Sequence, residues 1–587
     1  MARGRKALVT LPVIGVLAFT AACGGGTTNT PPGPAQAGYN AALNAVVRPS
    51  TQKGGTLHLI NASDIDSWDP ARTYYAWGWN MNRFYTRNLM TYDSKVGEAG
   101  LKLVPDIAKE AGKVSSDGLT YTYTLKDGIK FNDGTAVTSK HIKYGIERIF
   151  AQDVLSGGPT YLIDFLDQGQ KYPGPYKDSD PAKMGLKSVE TPDDKTIVFK
   201  LKEPFGDFPF LLAMPGAGPV KPEADTGDKY ANKPMSTGPY MMESYEPGKS
   251  AVFVRNPNWD QATDPIRKAL PDKIDVQLGV ESNEIDNRLL AGTADIDTGQ
   301  VGVQPNAQTK IQLDPNLKAN ADNPVTGFIR YFSISTKVAP FDNIHCRNAV
   351  QYATDKVALQ TARGGPEAGG DIATNMLPPN IAGHDPKLDP FNTKSGKPQI
   401  DKAKAELAAC GKPNGFKTVI AVRNRGKEPA CAEALQQALK QVGIDASIEQ
   451  SDASLYYRST IGSPDNVHKK GYGIMSAGWG ADWQTGYGYL QILIDGRNIL
   501  PSGNNNYAEL NDPEINSLID KARAEPDAKK AADIWAQINE KVMATATMLP
   551  YIYDKALNYR TARLTNVYVH SAFGMLDFQA LGVSDGK

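Results

Sequence analysis

The sequence that decides the fold reads Ser116-Asp-Gly-Leu-Thr-Tyr-Thr-Tyr-Thr-Leu125, followed directly by Lys126-Asp-Gly-Ile-Lys-Phe-Asn-Asp-Gly134. Threonine and tyrosine alternate in the first part, and a period of two is typical of a strand with one buried face. Asp-Gly pairs interrupt the runs, and Asp-Gly is a strong hairpin signal. The stretch therefore predicts β-hairpins, and Thr138 then opens a helix predicted over residues 138–150.

This block resembles the signature of the family 5 extracellular solute-binding proteins, the dipeptide, oligopeptide and nickel receptors of ABC importers. The resemblance continues along the chain and covers about residues 54–580 of the 587. Further matching segments are Ser236-Thr-Gly-Pro-Tyr240, Val254-Arg-Asn-Pro-Asn-Trp259, Asn287-Arg-Leu-Leu-Ala-Gly-Thr-Ala-Asp-Ile296, Ala339-Pro-Phe-Asp-Asn343 and Asp512-Pro-Glu-Ile-Asn-Ser-Leu-Ile519.

The resemblance implies an α/β fold of two lobes joined by two hinge strands. This is the type II periplasmic-binding-protein architecture of the large cluster, with an extra subdomain. We expect the chain to cross between lobes at about residues 326–334 and to return at about 548–553. The predicted parts are lobe I at about 54–325 and 549–587, its hairpin-rich subdomain at about 95–235, and lobe II at about 326–548.

The first residues have the order of an export signal. Basic residues precede an apolar run over residues 7–22, which is too short for a comfortable membrane span. The segment before Cys23 resembles a bacterial lipobox, which implies removal of residues 1–22 and acylation of Cys23. A plain secretory signal is the alternative. Residues 23–53 predict a flexible tether, so we expect a lipid-anchored protein on the extracytoplasmic face of the cell membrane.

Composition argues against several partners and chemistries. Lysine plus arginine and aspartate plus glutamate both number 64, so no long-range field points to nucleic acid. The six histidines include no pair at metal-ligand spacing, and no Gly-x-Ser-x-Gly element or phosphate loop occurs. We expect no metal, no cofactor and no catalytic residue, and we expect a monomer.

Three cysteines follow Cys23. Cys410 ends a helix predicted over residues 401–409, and Cys431 opens another after an intervening strand. A strand of that length separates these two cysteines by roughly 20 Å, whereas a disulfide tolerates only about 7 Å between Cα atoms. If a bridge forms, Cys346 and Cys410 are the better pair.

A candidate ligand site lies in Met475-Ser-Ala-Gly-Trp-Gly-Ala-Asp-Trp483. Asp482 stands there between Trp479 and Trp483, and one acceptor-only carboxylate with apolar walls suits a small cation. The alternative is a surface loop whose tryptophans pack against the edge of the hydrophobic core. In peptide-binding members of the family, an aspartate in a Gly-Trp-x-x-Asp segment pairs with the ligand's α-ammonium, and Asp482 matches that position.

From the same resemblance, we expect two other segments to contact the ligand. Tyr74, Tyr75 and Trp77 form an aromatic patch before a helix predicted over residues 80–89, where dipeptide receptors contact their ligand. Packing under that helix is the alternative. Arg425 falls near an arginine that those receptors use for the ligand's carboxylate, with a solvated basic loop as the alternative.

Three functional hypotheses follow. The leading one is a lipid-anchored receptor that binds peptides and delivers them to an ABC permease. The second keeps the fold and role but binds an oligosaccharide or another small solute, stacked on the tryptophans. The third is a secreted hydrolase that uses Asp482 with a second carboxylate about 5–9.5 Å away. A cavity holding Asp482 as its only carboxylate would exclude the hydrolase.

Overall fold

The computed structural model of this protein describes residues 38–424, 427–452 and 456–586. Cys23, Arg425 and the predicted signal peptide lie outside the described residues. No helix within these three ranges is long and apolar enough to cross a membrane. Three larger sheets organise the described chain, two of them in its first half and one in its second half.

The first sheet joins strands that lie far apart in the sequence. The strand Thr56–Ile60 pairs in parallel with a neighbour on each side, and the remaining pairs are antiparallel. Alternate residues of its strands are buried against an apolar core that includes Trp68 and Phe253. In spatial order the strands are Ile296–Asp297, Thr56–Ile60, Lys273–Gln277, Ser250–Arg255 and Tyr240–Glu246.

The predicted hairpin block forms a second, antiparallel sheet. Tyr121 and Tyr123 are buried while the intervening threonines are half-buried, as the alternation predicts. Gly118 takes φ +71° in the turn before them, a conformation that favours glycine. Thr138 caps the following helix, Ser139–Ile149, as predicted, and its backbone N–H donates to His141 Nδ1 at 3.1 Å. The strands are Lys113–Val114, Thr120–Thr124, Thr196–Lys200 and Val189–Asp193.

The third sheet is built from the second half of the chain. Its central strand Tyr472–Trp479 is apolar and buried over its first six residues, because helices cover both faces of the sheet. Lys417–Arg423 runs parallel to it, and Val325–Ile334 runs antiparallel on the other side. In spatial order the strands are Asp371–Ile372, Met548–Lys555, Val325–Ile334, Tyr472–Trp479, Lys417–Arg423 and Asp445–Ser451.

The predicted pairing of Cys346 with Cys410 is confirmed. The two residues form a disulfide with a Cα–Cα distance of 5.3 Å. Cys346 lies in helix Ile344–Ala353, and Cys410 follows the last residue of helix Ile400–Ala409. Cys431 is buried with a free thiol. The bridge therefore ties together two helices that cover the third sheet.

The structure describes two of the predicted connecting regions. The predicted crossover segments pair with each other inside the third sheet, as the strands Val325–Ile334 and Met548–Lys555. Next to them, Ala321–Asp322 pairs with Asn558–Tyr559 in a separate two-stranded sheet. Part of the predicted tether is also ordered, since Ala42 and Val47 are fully buried. Both side chains belong to the apolar core beside the first sheet.

The other described elements fill the space between and around the sheets. The remaining strand pairs are Met90–Tyr92 with Leu103–Pro105, Leu564–Thr565 with Gly582–Val583, and Val569–His570 with Met575–Leu576. The remaining α-helices are Ala41–Asn44, Ala76–Tyr85, Tyr161–Leu166, Phe208–Leu211, Ser282–Ala291, Pro305–Leu313, Pro315–Lys318, Lys356–Arg363, Gly365–Ala368, Glu428–Lys440, Pro464–Lys470, Ile492–Ile494, Pro513–Ala524 and Ala528–Ala544.

Candidate functional site

The loop over residues 480–486 projects from the end of the central strand of the third sheet. Two glycines allow the chain to pass close to its neighbours there. A Cβ atom on Gly478 would lie 2.5 Å from Arg330 Nη1, and one on Gly480 would lie 2.7 Å from the Phe328 ring. The Asp482 backbone N–H then donates to the Gly488 carbonyl oxygen at 3.0 Å, which fixes the direction of the loop.

The Asp482 carboxylate is the polar centre of the site. Its Oδ2 atom accepts a hydrogen bond from the Tyr74 hydroxyl at 3.1 Å and a second, short one from the Tyr161 hydroxyl. Desolvation raises the pKa of Asp482 to about 7, although both hydroxyl donors favour the ionised form. A desolvated carboxylate of this kind forms strong charge-assisted hydrogen bonds with a cation.

Tyr74 and Trp79 form one aromatic wall beside Asp482. Their rings stack with centroids 5.7 Å apart and an interplanar angle of 11°. The Trp79 indole Nε1–H donates to the Thr73 carbonyl oxygen at 2.8 Å, which holds the ring in place. Tyr75 is the neighbouring predicted residue, and its side chain is 48% exposed.

Trp77 and Trp483 lie in the core rather than beside the carboxylate. The helix that follows the aromatic patch begins at Ala76, four residues before the predicted start, and it turns Trp77 towards Trp68 in the core. Trp483 is 1% exposed, and its Nε1–H donates to Asp207 Oδ2 at 2.8 Å. These two rings position the site, and their direct contact with a ligand stays a prediction.

Trp479 ends its strand half-buried. Its indole Nε1 is buried and has no hydrogen-bond partner within the described part of the chain. The Tyr489 hydroxyl donates to the Trp479 carbonyl oxygen at 3.3 Å. Arg425 lies outside the described residues, so its predicted role is also left as a prediction.

Two residues at the site have no signal in the local sequence. Tyr161 reaches Asp482 across 321 positions of sequence, and Asp207 reaches Trp483 across 276. Asp207 also accepts from the Thr485 hydroxyl, and burial raises the pKa of its carboxyl. Only their tertiary neighbours distinguish these residues from other tyrosines and aspartates.

A cavity opens beside Asp482. Its volume is about 30 Å³. Asp482 is the one carboxylate among the described residues that line it, so the second carboxylate that a glycoside hydrolase needs is not supplied there. In the described ranges, no three His, Cys, Asp or Glu side chains group as metal ligands. The lining residues are Trp79, Asn82, Arg83, Thr86, Asn88, Thr91, Tyr92, Phe210, Ala213, Met214, Pro215, Arg267, Asp482 and Phe573.

Comparison with known proteins identifies the family. Residues 102–500 match the bacterial extracellular solute-binding proteins, family 5 Middle. The chain is 45% identical to the clavulanic acid biosynthesis oligopeptide binding protein 2, with a TM-score of 0.90 over 93% of this chain and 99% of that one. It is 25% identical over 514 residues to the probable D,D-dipeptide-binding periplasmic protein DdpA of Escherichia coli (strain K12), covering 86% of this chain and 89% of the relative.

A solved structure with lower identity shares the fold. The periplasmic binding protein DppA from Helicobacter pylori is 21% identical and gives a TM-score of 0.71 over 91% of this chain and 99% of that one. The predicted two-lobed α/β binding-protein fold is thus confirmed. The function is extracytoplasmic solute binding for an ABC transporter and not catalysis. This chain belongs to the bacterial extracellular solute-binding proteins of family 5.

Proposed function

We propose that this protein is a lipid-anchored receptor that binds a peptide between its two lobes and delivers it to a membrane permease. The observation that supports this most directly is the Asp482 carboxylate beside the cavity. It is desolvated, it has aromatic neighbours, and it accepts hydrogen bonds from Tyr74 and Tyr161. Relatives at 45% and 25% identity are named for oligopeptide and D,D-dipeptide binding.

The ligand's α-ammonium would take the place of the tyrosine hydroxyls at Asp482. An ammonium donates up to three hydrogen bonds and brings a positive charge, whereas a hydroxyl donates one. A charge-assisted hydrogen bond contributes about 1.5–3 kcal/mol. The bound cation would also lower the pKa of Asp482, because it stabilises the ionised carboxylate.

An oligosaccharide is the second candidate. The stacked Tyr74–Trp79 pair and the Tyr92 and Phe210 rings lie at the cavity, and flat rings of this kind accommodate sugar faces as well as peptide side chains. A sugar has no ammonium for Asp482, so the carboxylate favours the peptide. Binding of N-acetylated and free peptides separates the two candidates, as described in the Discussion.

We propose that the lobes meet across the site and close on the ligand. Lobe I carries the first two sheets and lobe II carries the third, with the chain passing between them near residues 322–325 and 555–558. Tyr74 and Tyr161 from lobe I contact Asp482 of lobe II, and Asp207 of lobe I contacts Trp483. These contacts join the two lobes in the arrangement that the structure shows.

Peptide binding should therefore make the protein more compact. A ligand that touches both lobes binds the closed state better and shifts the population towards it. We expect small-angle scattering to give a smaller radius of gyration with saturating trialanine than without it. The Asp482→Asn variant at the same peptide concentration is the control and should keep the larger radius. An equal radius with and without bound peptide in the natural protein would refute closure.

Lipid attachment at Cys23 predicts where the protein is found. Cys23→Ser removes the thiol that would carry the acyl chain, so the variant should be released as secreted protein or remain as uncleaved precursor. Cys431→Ser, which alters a buried thiol of the folded part, is the matched control and should stay with the membrane. Detergent-phase partitioning of both variants measures this. Normal partitioning of processed Cys23→Ser protein would rule out the anchor.

A further inference from the structure

Four side chains that line the cavity each carry a buried polar atom with no hydrogen-bond partner in the parts of the chain that the structure describes. Their side chains are 2%, 7%, 7% and 9% exposed, in chain order. Buried polar atoms are nearly always paired, so an unpaired group of them points to a polar ligand. The atoms are Asn82 Oδ1, Arg83 Nε, Thr86 Oγ1 and Asn88 Oδ1.

The hydrogen-bond network fixes the orientation of both asparagines. The Tyr85 hydroxyl donates its proton to the Trp68 carbonyl oxygen at 2.7 Å, so it must accept from Asn82 Nδ2 at 2.8 Å. Asn88 Nδ2 donates to the carbonyl oxygens of Ala213 and Met214, each at 2.9 Å. With both amide nitrogens committed, the oxygen of each side chain remains free as an acceptor.

Arg83 adds a hydrogen-bond donor, and the positive charge of its guanidinium is already paired. Its Nη1 donates to Asp577 Oδ1 at 2.8 Å, and its guanidinium lies 4.8 Å from the Phe573 ring centroid. The Nε–H that remains can therefore donate to a ligand oxygen without leaving an unpaired cation. Thr86 contributes a hydroxyl that can donate or accept.

The charges on this wall select against ionised groups. An anion would face the two asparagine oxygens, and a cation would meet the Arg83 Nε–H, which has no lone pair to offer it. A neutral group with an N–H donor and a carbonyl acceptor can donate to one of the two asparagine oxygens and accept from the Arg83 Nε–H. The peptide amide has this combination of one donor and one acceptor.

We propose that Asn82, Arg83, Thr86 and Asn88 form an amide subsite, which binds an amide group of the solute close to its ammonium on Asp482. The inference rests on the proposed function, because it takes the ammonium at Asp482 as the neighbouring contact. Asp482 and the subsite line the same cavity. The Tyr92 and Phe210 rings, which also line it, would keep water from the bound amide.

Calorimetry with two probes tests the subsite. One probe is trialanine, and the other is its analogue with the first peptide bond replaced by an ester, which removes the N–H donor but keeps the carbonyl. We expect the natural protein to bind the amide about tenfold more tightly, the ratio that corresponds to one hydrogen bond to a buried acceptor. Asn82→Leu or Asn88→Leu, whichever removes the oxygen that accepts from this N–H, should reduce the ratio to about one.

Thr86→Val keeps the shape of the side chain and removes its unpaired hydroxyl. It should weaken trialanine binding by about three- to tenfold while the melting temperature stays the same or rises. Thr354→Val, at a buried threonine that bonds its own helix, is the control and should leave binding unchanged.

The outcomes distinguish failure of the amide subsite from failure of the proposed peptide-binding function. Binding of amide and ester with equal affinity by the natural protein would overturn the amide subsite alone. A preference for the amide that survives Asn82→Leu, Thr86→Val and Asn88→Leu alike would also overturn it, since the amide would then bind elsewhere. Failure of both probes to bind would overturn the peptide proposal, and the subsite with it.

Discussion

Replacing Asp482 by asparagine should weaken peptide binding by roughly two to three and a half orders of magnitude. The substitution keeps the shape of the side chain but leaves the ligand's ammonium buried beside a neutral amide. Breaking one side of such a pair costs about 3–5 kcal/mol, and about 1.4 kcal/mol corresponds to a tenfold change in affinity. Calorimetric titration of trialanine into both proteins measures the difference.

N-acetylated trialanine provides the matching change on the ligand. It offers no ammonium to Asp482, so the natural protein should reject it to a similar extent. The two losses should not add, because both remove the same interaction. The control variant is Asp286→Asn, another buried carboxylate whose pKa desolvation raises to about 6 but which does not line the cavity. Equal affinity of the natural protein for free and acetylated peptide would reject the ammonium contact and favour a sugar.

The pH dependence of binding gives a second readout of the same contact. Because desolvation raises the pKa of Asp482 to about 7, its carboxyl becomes protonated as the pH falls below that value. The protonated form cannot pair with an ammonium, so affinity should fall by roughly tenfold per pH unit below about pH 7. Asp482→Asn should show no such slope. A flat profile in the natural protein between pH 5 and pH 8, at roughly one unit or more on either side of that pKa, would contradict the assignment.

Removing the Cys346–Cys410 disulfide should lower the free energy of unfolding by about 4 kcal/mol. The bridge closes a loop with a sequence separation of 64, and the chain-entropy relation gives a stabilisation of that size for such a loop. The double variant Cys346→Ala, Cys410→Ala should therefore unfold at a lower urea concentration. Tryptophan fluorescence during urea titration follows the transition.

Peptide affinity at low temperature should survive this change. The disulfide joins two helices that cover the third sheet, whereas Asp482 lies on the loop beyond the end of its central strand. Cys431→Ala is the matched control, since it removes a buried thiol that closes no loop and should cost far less stability. If the double variant and the control unfold at the same urea concentration, the bridge does not stabilise the fold.

Local patterns in the sequence determined the backbone and the family. The alternation around Tyr121 and Tyr123 was enough to predict a strand with one buried face, and the cap at Thr138 was enough to locate a helix start. The cysteine spacing selected the correct pair, since strand length alone separates Cys410 from Cys431. These features depend on neighbours a few positions away, which the sequence displays directly.

Which side chains meet at the site depends on tertiary packing. Each helical residue turns the side-chain direction by about 100°, so the helix start at Ala76 sends Trp77 into the core and leaves Trp79 at the cavity. Tyr74 and Tyr161 reach Asp482 from 408 and 321 positions away. No local pattern in the sequence encodes contacts between residues so far apart in the chain. They follow from how the sheets of the two lobes pack, and that packing also desolvates Asp482 and raises its pKa.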